Sequence, residues 1–140
     1  MYEENIRVIT ELDAARIREL GSRLPGHGAG LDSLAGLIGM VEQQADIVPG
    51  ERVDPDVVTI NSTVSFRDEP TQTVHRVTVV YPQDMSVGAR RISVLSPVGR
   101  ALIGNRAGDL ASVELPDGSR RAIRLIEVHY QPEAAGHFAR

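Results

Sequence analysis

Ile92-Ser-Val-Leu-Ser-Pro-Val-Gly-Arg-Ala-Leu-Ile-Gly-Asn-Arg-Ala-Gly-Asp109 starts as a strand, breaks at Ser-Pro and leaves room for barely two helical turns before a glycine. Ser96 fits an N-cap whose hydroxyl accepts an amide hydrogen bond. Pro97 suits the first helical position, where an N–H would have no partner anyway. Gly104 fits a left-handed stop. The spacing predicts a short strand over 91–95 and a helix over 97–103. Val98, Ala101 and Leu102 should pack into a sheet, with Gly99 and Arg100 less constrained. Gly108-Asp109 then opens another strand, 110–115.

Working outward, Pro116-Asp-Gly118 reads as a hairpin turn, because proline presets φ and glycine tolerates positive φ. In the strand over 121–130, Ile123 and Leu125 fall in one phase, and Ile126, Val128 and Tyr130 in the other. A bulge near Leu125–Ile126 reconciles them. Residues 131–140 form a non-strand tail. Upstream, Val58, Ile60, Ser62, Val64 and Phe66 alternate with polar neighbours as one half-buried strand. Arg67–Thr71 turns the chain. Val74–Tyr81 forms a second strand with Val77, Val79 and Tyr81 on one face, and Pro82–Gly88 is a loop.

The first part of the chain has a different period. Thr10-Glu-Leu-Asp13 fits a capping motif, so a helix should begin near Glu11 with Leu12, Ile17, Leu20 and Leu24 on its apolar side. Pro25-Gly-His-Gly-Ala-Gly30 ends it. Leu31, Leu34, Ile38, Val41, Ala45 and Val48 then step by three and four, predicting a second helix packed antiparallel on the first. Gly36 and Gly39 inside it each cost about 1 kcal/mol relative to alanine. Pro49–Asp56 reads as a connector. The expected division is a helical hairpin over 1–49 and a small antiparallel sheet with one short helix over 50–140, an α+β arrangement.

A chain of 140 residues, 41% hydrophobic and 24% charged, can bury a real core. No apolar run is long enough to span a bilayer, and the start, MYEENIRVIT, lacks the basic and apolar parts of a secretion signal. The expectation is a cytoplasmic protein without a membrane partner. Cysteine is absent, which removes disulfides and thiolate chemistry. All 15 basic residues are arginine and the net charge is −4. That balance argues against strong or sequence-specific nucleic-acid binding, and Arg90-Arg91 and Arg120-Arg121 read as solvated strand ends. Without lysine, Schiff-base and P-loop chemistry are excluded.

Catalytic constellations are equally absent. Gly26-His-Gly-Ala-Gly30 joins two helices, the wrong context for a dinucleotide loop. His27, His75, His129 and His137 form no ligand spacing, so no metal is expected. Ser96 has no assignable base and is explained by capping. The chain reads as a non-enzyme with no cofactor and no catalytic residues.

The segments VVTINSTVSFRD (57–68), VYPQD (80–84), ISVLSPVGRALIGNRAGD (92–109) and ELPDGSRRAIRLIEVHYQPEAAG (114–136) together resemble the C-terminal domain of Gre-type transcript cleavage factors. They resemble most their shorter relatives, the regulators of nucleoside diphosphate kinase, to which the YQPEAAG tail points. The resemblance implies an FKBP-like antiparallel sheet around a short helix, joined to an N-terminal coiled coil. It also implies a partner, RNA polymerase, with the sheet domain docked on the rim of the secondary channel. The family's docking loop corresponds to Leu95, Ser96, Pro97 and Val98, although Gre-type proteins carry a polar residue where Leu95 stands.

In Gre-type factors two carboxylates at the coiled-coil tip hold magnesium for transcript hydrolysis, chemistry that needs paired oxygen donors. Here the tip, Pro25–Gly30, has none. His27 marks the tip, and Asp32 just beyond it reads as a helix cap. Helices of about 12 to 17 residues also rise only ~18 to 26 Å. The expectation is a noncatalytic polymerase-binding regulator, monomer or weak homodimer, competing with cleavage factors and acting on nucleoside diphosphate kinase only indirectly. The alternatives are a homodimeric adaptor using the Leu31–Val48 seam, or a peptidyl-prolyl isomerase. The second is disfavoured because the rings are few: Tyr2, Phe66, Tyr81, Tyr130 and Phe138.

Overall fold

Thr10 ends a short strand and caps a helix at once, because its Oγ1 accepts the Asp13 amide at 3.1 Å. The computed structural model describes residues 6–23 and 29–137, with side chains described for 6–20 and 34–137. β1 (Arg7–Thr10) leads into α1 (Glu11–Arg23), followed by α2 (Ala29–Gln43) and β2 (Ala45–Val48). On α1 the buried positions are Asp13, Ala14, Ile17 and Leu20, while Leu12 is exposed rather than part of the apolar side. On α2 they are Leu34, Leu37, Met40 and Val41.

Ala45 and Val48 do not continue the second helix. They lie in β2, which pairs parallel with β1 from Arg7↔Ala45 to Thr10↔Val48. Two local forces explain the change: Ile47 and Val48 are β-branched, and Pro49 drives Val48 out of the helical region. The three-and-four spacing carries on by coincidence past the point where the helix stops.

The second half forms a five-stranded sheet in the order β5-β4-β3-β7-β6. Its elements are β3 (Thr63–Asp68), β4 (Thr73–Val80), β5 (Arg91–Ser93), α3 (Pro97–Leu102), β6 (Leu110–Glu114) and β7 (Arg120–Tyr130). The sheet is mixed rather than antiparallel, because β5 runs parallel to β4. The intervening loop closes on itself through a 3-10 turn at Pro82–Asp84 and a Ser86–Arg91 bridge, so the chain re-enters in the same direction.

On β7 the pairing to β3 passes from Leu125 directly to Glu127, leaving Ile126 as the extra residue of the expected bulge. A second slip leaves out His129. The expected strand through Val58 and Ile60 starts later, at Thr63. Thr59–Ser62 is a turn with Asn61 at φ 75°, a conformation that asparagine tolerates.

One hydrophobic cluster contains Ile9, Ile17, Leu34 and Leu37 from the helical half together with Ile60, Val64, Val94, Leu102, Ile123 and Leu125 from the sheet. The joint is hydrogen-bonded as well as packed. The Val8 amide donates to the Gly104 carbonyl at 2.9 Å and the Gly104 amide to the Val58 carbonyl at 2.8 Å. Gly104 sits at φ 82°, and a Cβ there would come within 3.0 Å of Arg7 Cβ and Ile9 Cδ1, so both conformation and space require glycine.

Candidate docking corner

The corner between β5 and α3 is built around one hydroxyl. Ser96 Oγ accepts the Gly99 amide at 3.1 Å and donates to the Ser93 carbonyl at 2.6 Å. Ser93 Oγ in turn accepts the Leu95 amide at 3.0 Å. Pro97 occupies the first turn. Leu95, Ser96, Pro97 and Val98 are all half-buried, with Leu95 and Val98 packed against the core. The four residues chosen from sequence therefore form one rigid, partly exposed turn.

Gly99 is not the less constrained position that its helical phase implied. It is buried, and a methyl group there would collide with the Ser93 carbonyl oxygen. The strand and the helix approach each other through that missing side chain.

The far end of α3 is held by a residue from outside the segment. Arg7 Nη1 donates to the carbonyls of Arg100 at 2.9 Å and Ile103 at 3.0 Å, satisfying acceptors that a helix end leaves open. Sequence reasoning missed this, since nothing local links residue 7 to residue 100. It also missed Met85 and Val87, 57% and 88% exposed in the turn before β5. Their signal is two apolar side chains in a loop that lacks strand periodicity.

The helical pair meets the sheet through Asp13, a buried carboxyl that accepts the Ile60 amide at 3.1 Å and the Tyr81 hydroxyl at 3.2 Å. Burial pushes its pKa up to about 6, and the Glu133 carboxylate adds to the rise. Tyr81 is pushed up too, by burial and by Asp13. Arg18 and Glu42 join α1 to α2 at 2.8 Å on the exposed side.

Of the tip residues, His27 lies outside the described residues. Asp32 falls inside α2 rather than ahead of it, so its backbone position is not that of an N-cap. Among the described residues no group of three or more His, Cys, Asp or Glu is placed to hold a metal ion, and no helix is long and apolar enough to cross a membrane.

A helical pair joined to a curled mixed sheet, with a serine-capped corner at its edge, defines a class that comparison identifies. Residues 53–130 match the family described as transcription elongation factor, GreA/GreB, C-term, and the chain belongs to that family. Within it, the chain is similar to the regulator of nucleoside diphosphate kinase from Escherichia coli strain K12, at 40% identity over 131 residues and 94% of each chain. The transcription elongation factor GreA of Rhodospirillum rubrum is 37% identical over 82 residues, 57% of this chain and 51% of GreA. Among solved structures, a prokaryotic GreA/GreB elongation factor from Nitrosomonas europaea superposes with a TM-score of 0.69 at 35% identity, covering 91% of this chain and all of that one.

Proposed function

We propose that this protein is a noncatalytic transcription regulator that binds RNA polymerase through the β5–α3 corner and competes there with Gre-type cleavage factors. The observation that carries the reading is the corner itself. Leu95–Val98 stand half-exposed on a turn fixed by the Ser96 cap and the Gly99 contact, inside the segment matched to the GreA/GreB domain. Such a turn presents a preformed surface and loses little conformational entropy on binding.

The helical pair supports a role without transcript cleavage. With 13 residues in α1 and 15 in α2, the helices extend only ~20 to 22 Å at ~1.5 Å per residue. The tip, 25–30, contains no carboxylate with which to hold a hard cation. The site on the polymerase is the rim of the secondary channel, which a hairpin of this length occupies at its entrance. Any effect on nucleoside diphosphate kinase is indirect. The adaptor alternative is weaker, because Leu34 and Val41 of its seam are buried within this chain's own core.

Core RNA polymerase titrated with labelled protein, in the presence and absence of a Gre factor, tests the reading. Displacement by the factor, with binding weakened in Leu95→Asp and Pro97→Ala variants that keep the wild-type melting profile, is expected. Absence of binding at micromolar protein, or binding indifferent to the competitor, overturns it.

A further inference from the structure

Between α2, α3 and β6 lies a cavity of about 260 Å³ that borders the docking corner only through Pro97. Arg7, Arg100 and Arg120 all line it. Arg7 is committed to the end of α3. Arg100 is different: a Cβ at Gly36 would stand 3.3 Å from its Nη1, so the guanidinium rests in the notch that this glycine leaves in α2. A helix-weakening residue thus seats a cation at the cavity wall. Neither Arg100 nor Arg120 has an acidic or hydrogen-bonding side-chain partner among the described residues.

The same cavity is lined by Asn105 and Ser112. Asn105 is 2% exposed and spends its Nδ2 on the Ala101 carbonyl at 2.6 Å. Its Oδ1 and Ser112 Oγ are buried and, among the described residues, have no hydrogen-bond partner. Buried polar atoms are normally satisfied, so two orphans beside one cavity are unmet hydrogen-bonding demands, sealed from solvent, that a ligand meets only when these side chains turn toward it. Glu114 and Gln44 complete the polar lining.

We propose that this cavity binds a small molecule that carries a phosphate or carboxylate group together with N–H or O–H donors. The guanidinium forks of Arg100 and Arg120 take the oxyanion, the geometry for which arginine is suited. Ser112 Oγ donates to it. The acceptors Asn105 Oδ1 and Glu114 then require donors on the ligand, which sets it apart from a bare anion. The volume, below the ~300 Å³ at which drug-sized pockets begin, suits a small ligand or the anionic end of a larger one, because the cavity is open on one side. Binding here does not rest on the polymerase reading, and Pro97 is the one residue that the two sites share.

Amide NMR of the full chain at constant ionic strength provides the test, with inorganic phosphate, O-phosphoethanolamine and ethanolamine as probes. Saturable shifts at Ser112 and Asn105 are expected for both phosphate-bearing probes, tighter for phosphoethanolamine, and none for ethanolamine. Arg100→Ala should weaken binding about tenfold or more, as loss of a charge-assisted pair does. Gly36→Ala, which fills the notch while favouring the helix, should weaken binding in a protein that stays folded. Arg76→Ala, on β4 away from the cavity, should change nothing. No saturable shift with either phosphate-bearing probe overturns the site. So does equal weakening by Arg76→Ala, or binding that survives both Arg100→Ala and Gly36→Ala.

Discussion

Tyr81, just past the end of β4, donates its hydroxyl to Asp13 in the first turn of α1 at 3.2 Å, and this bond crosses the joint between helical pair and sheet. Asp13 is 3% exposed, so the carboxyl that fastens the two halves is also one that water cannot easily charge.

A pH dependence follows from that burial. The folded-state pKa of Asp13 is raised from 3.8 to about 6, so the native state holds a proton that the unfolded chain has lost. The contribution is fully present below about pH 4 and disappears as pH rises through about 6, a change of about 3 kcal/mol. Asp13→Asn removes it. Urea unfolding of both proteins should therefore show a stability difference that shifts by that amount across the window. A difference constant with pH means that the buried carboxyl is not held protonated.

Asp68 has the opposite sign. Arg121 grips it with Nε and Nη2, each at 2.6 Å, and Thr71 Oγ1 donates at 2.6 Å. The Arg121 hydrogen bonds hold its pKa down at about 2. Here the stabilisation is present above about pH 4 and is lost as pH falls toward 2. Thermal melts of Asp68→Asn should show a flatter acid limb than the wild type. Arg121→Lys should recover only part of the wild-type slope, since a lysine keeps the charge and loses the fork. Equal acid limbs in all three proteins would rule out the pair as a source of acid sensitivity.

The parts of the fold legible in the sequence are those fixed by local chemistry. Ser96-Pro97 and Gly104 bound α3, Thr10 starts α1, and the phase change at Leu125–Ile126 becomes a real bulge, because each is set by neighbours a few residues away. Long-range pairing was not legible. Local chemistry takes 45–48 out of the helix, but its parallel pairing needs β1 beside it, and β5 runs parallel because of how its preceding loop closes. The candidate site divides in the same way. Leu95–Val98 could be read from capping and family resemblance, whereas Arg7 at the far end of α3 and the tight seat of Gly99 arise from contacts that no short spacing encodes.

Two glycines separate space from propensity. Gly39 lies within α2, and a Cβ there meets nothing within 4 Å, so Gly39→Ala should stabilise by about 1 kcal/mol through helix propensity alone. Gly99→Ala forces a methyl group into the Ser93 carbonyl and should cost about 3 kcal/mol or more, as overpacking against backbone does. Denaturant midpoints at equal m-value measure both. A mild effect at Gly99 would mean that β5 and α3 can move apart, and the corner would lose its claim to rigidity.

Arg7 tests whether the corner is held from its far side. Its two bonds to the Arg100 and Ile103 carbonyls are made by a charged donor, worth about 2 kcal/mol together with the acceptors they would otherwise leave open. Arg7→Met keeps much of the aliphatic stem and removes the donors. The variant should lose about that much stability, and amide exchange at Ile103, which bonds back to Gly99, should speed up more than exchange in the β3–β7 ladder. The contrast matters because α3 has only six residues and cannot persist by itself. If Ile103 and the ladder accelerate alike, Arg7 stabilises the fold globally; if Ile103 alone responds, the N-terminal strand sets the order of the docking corner.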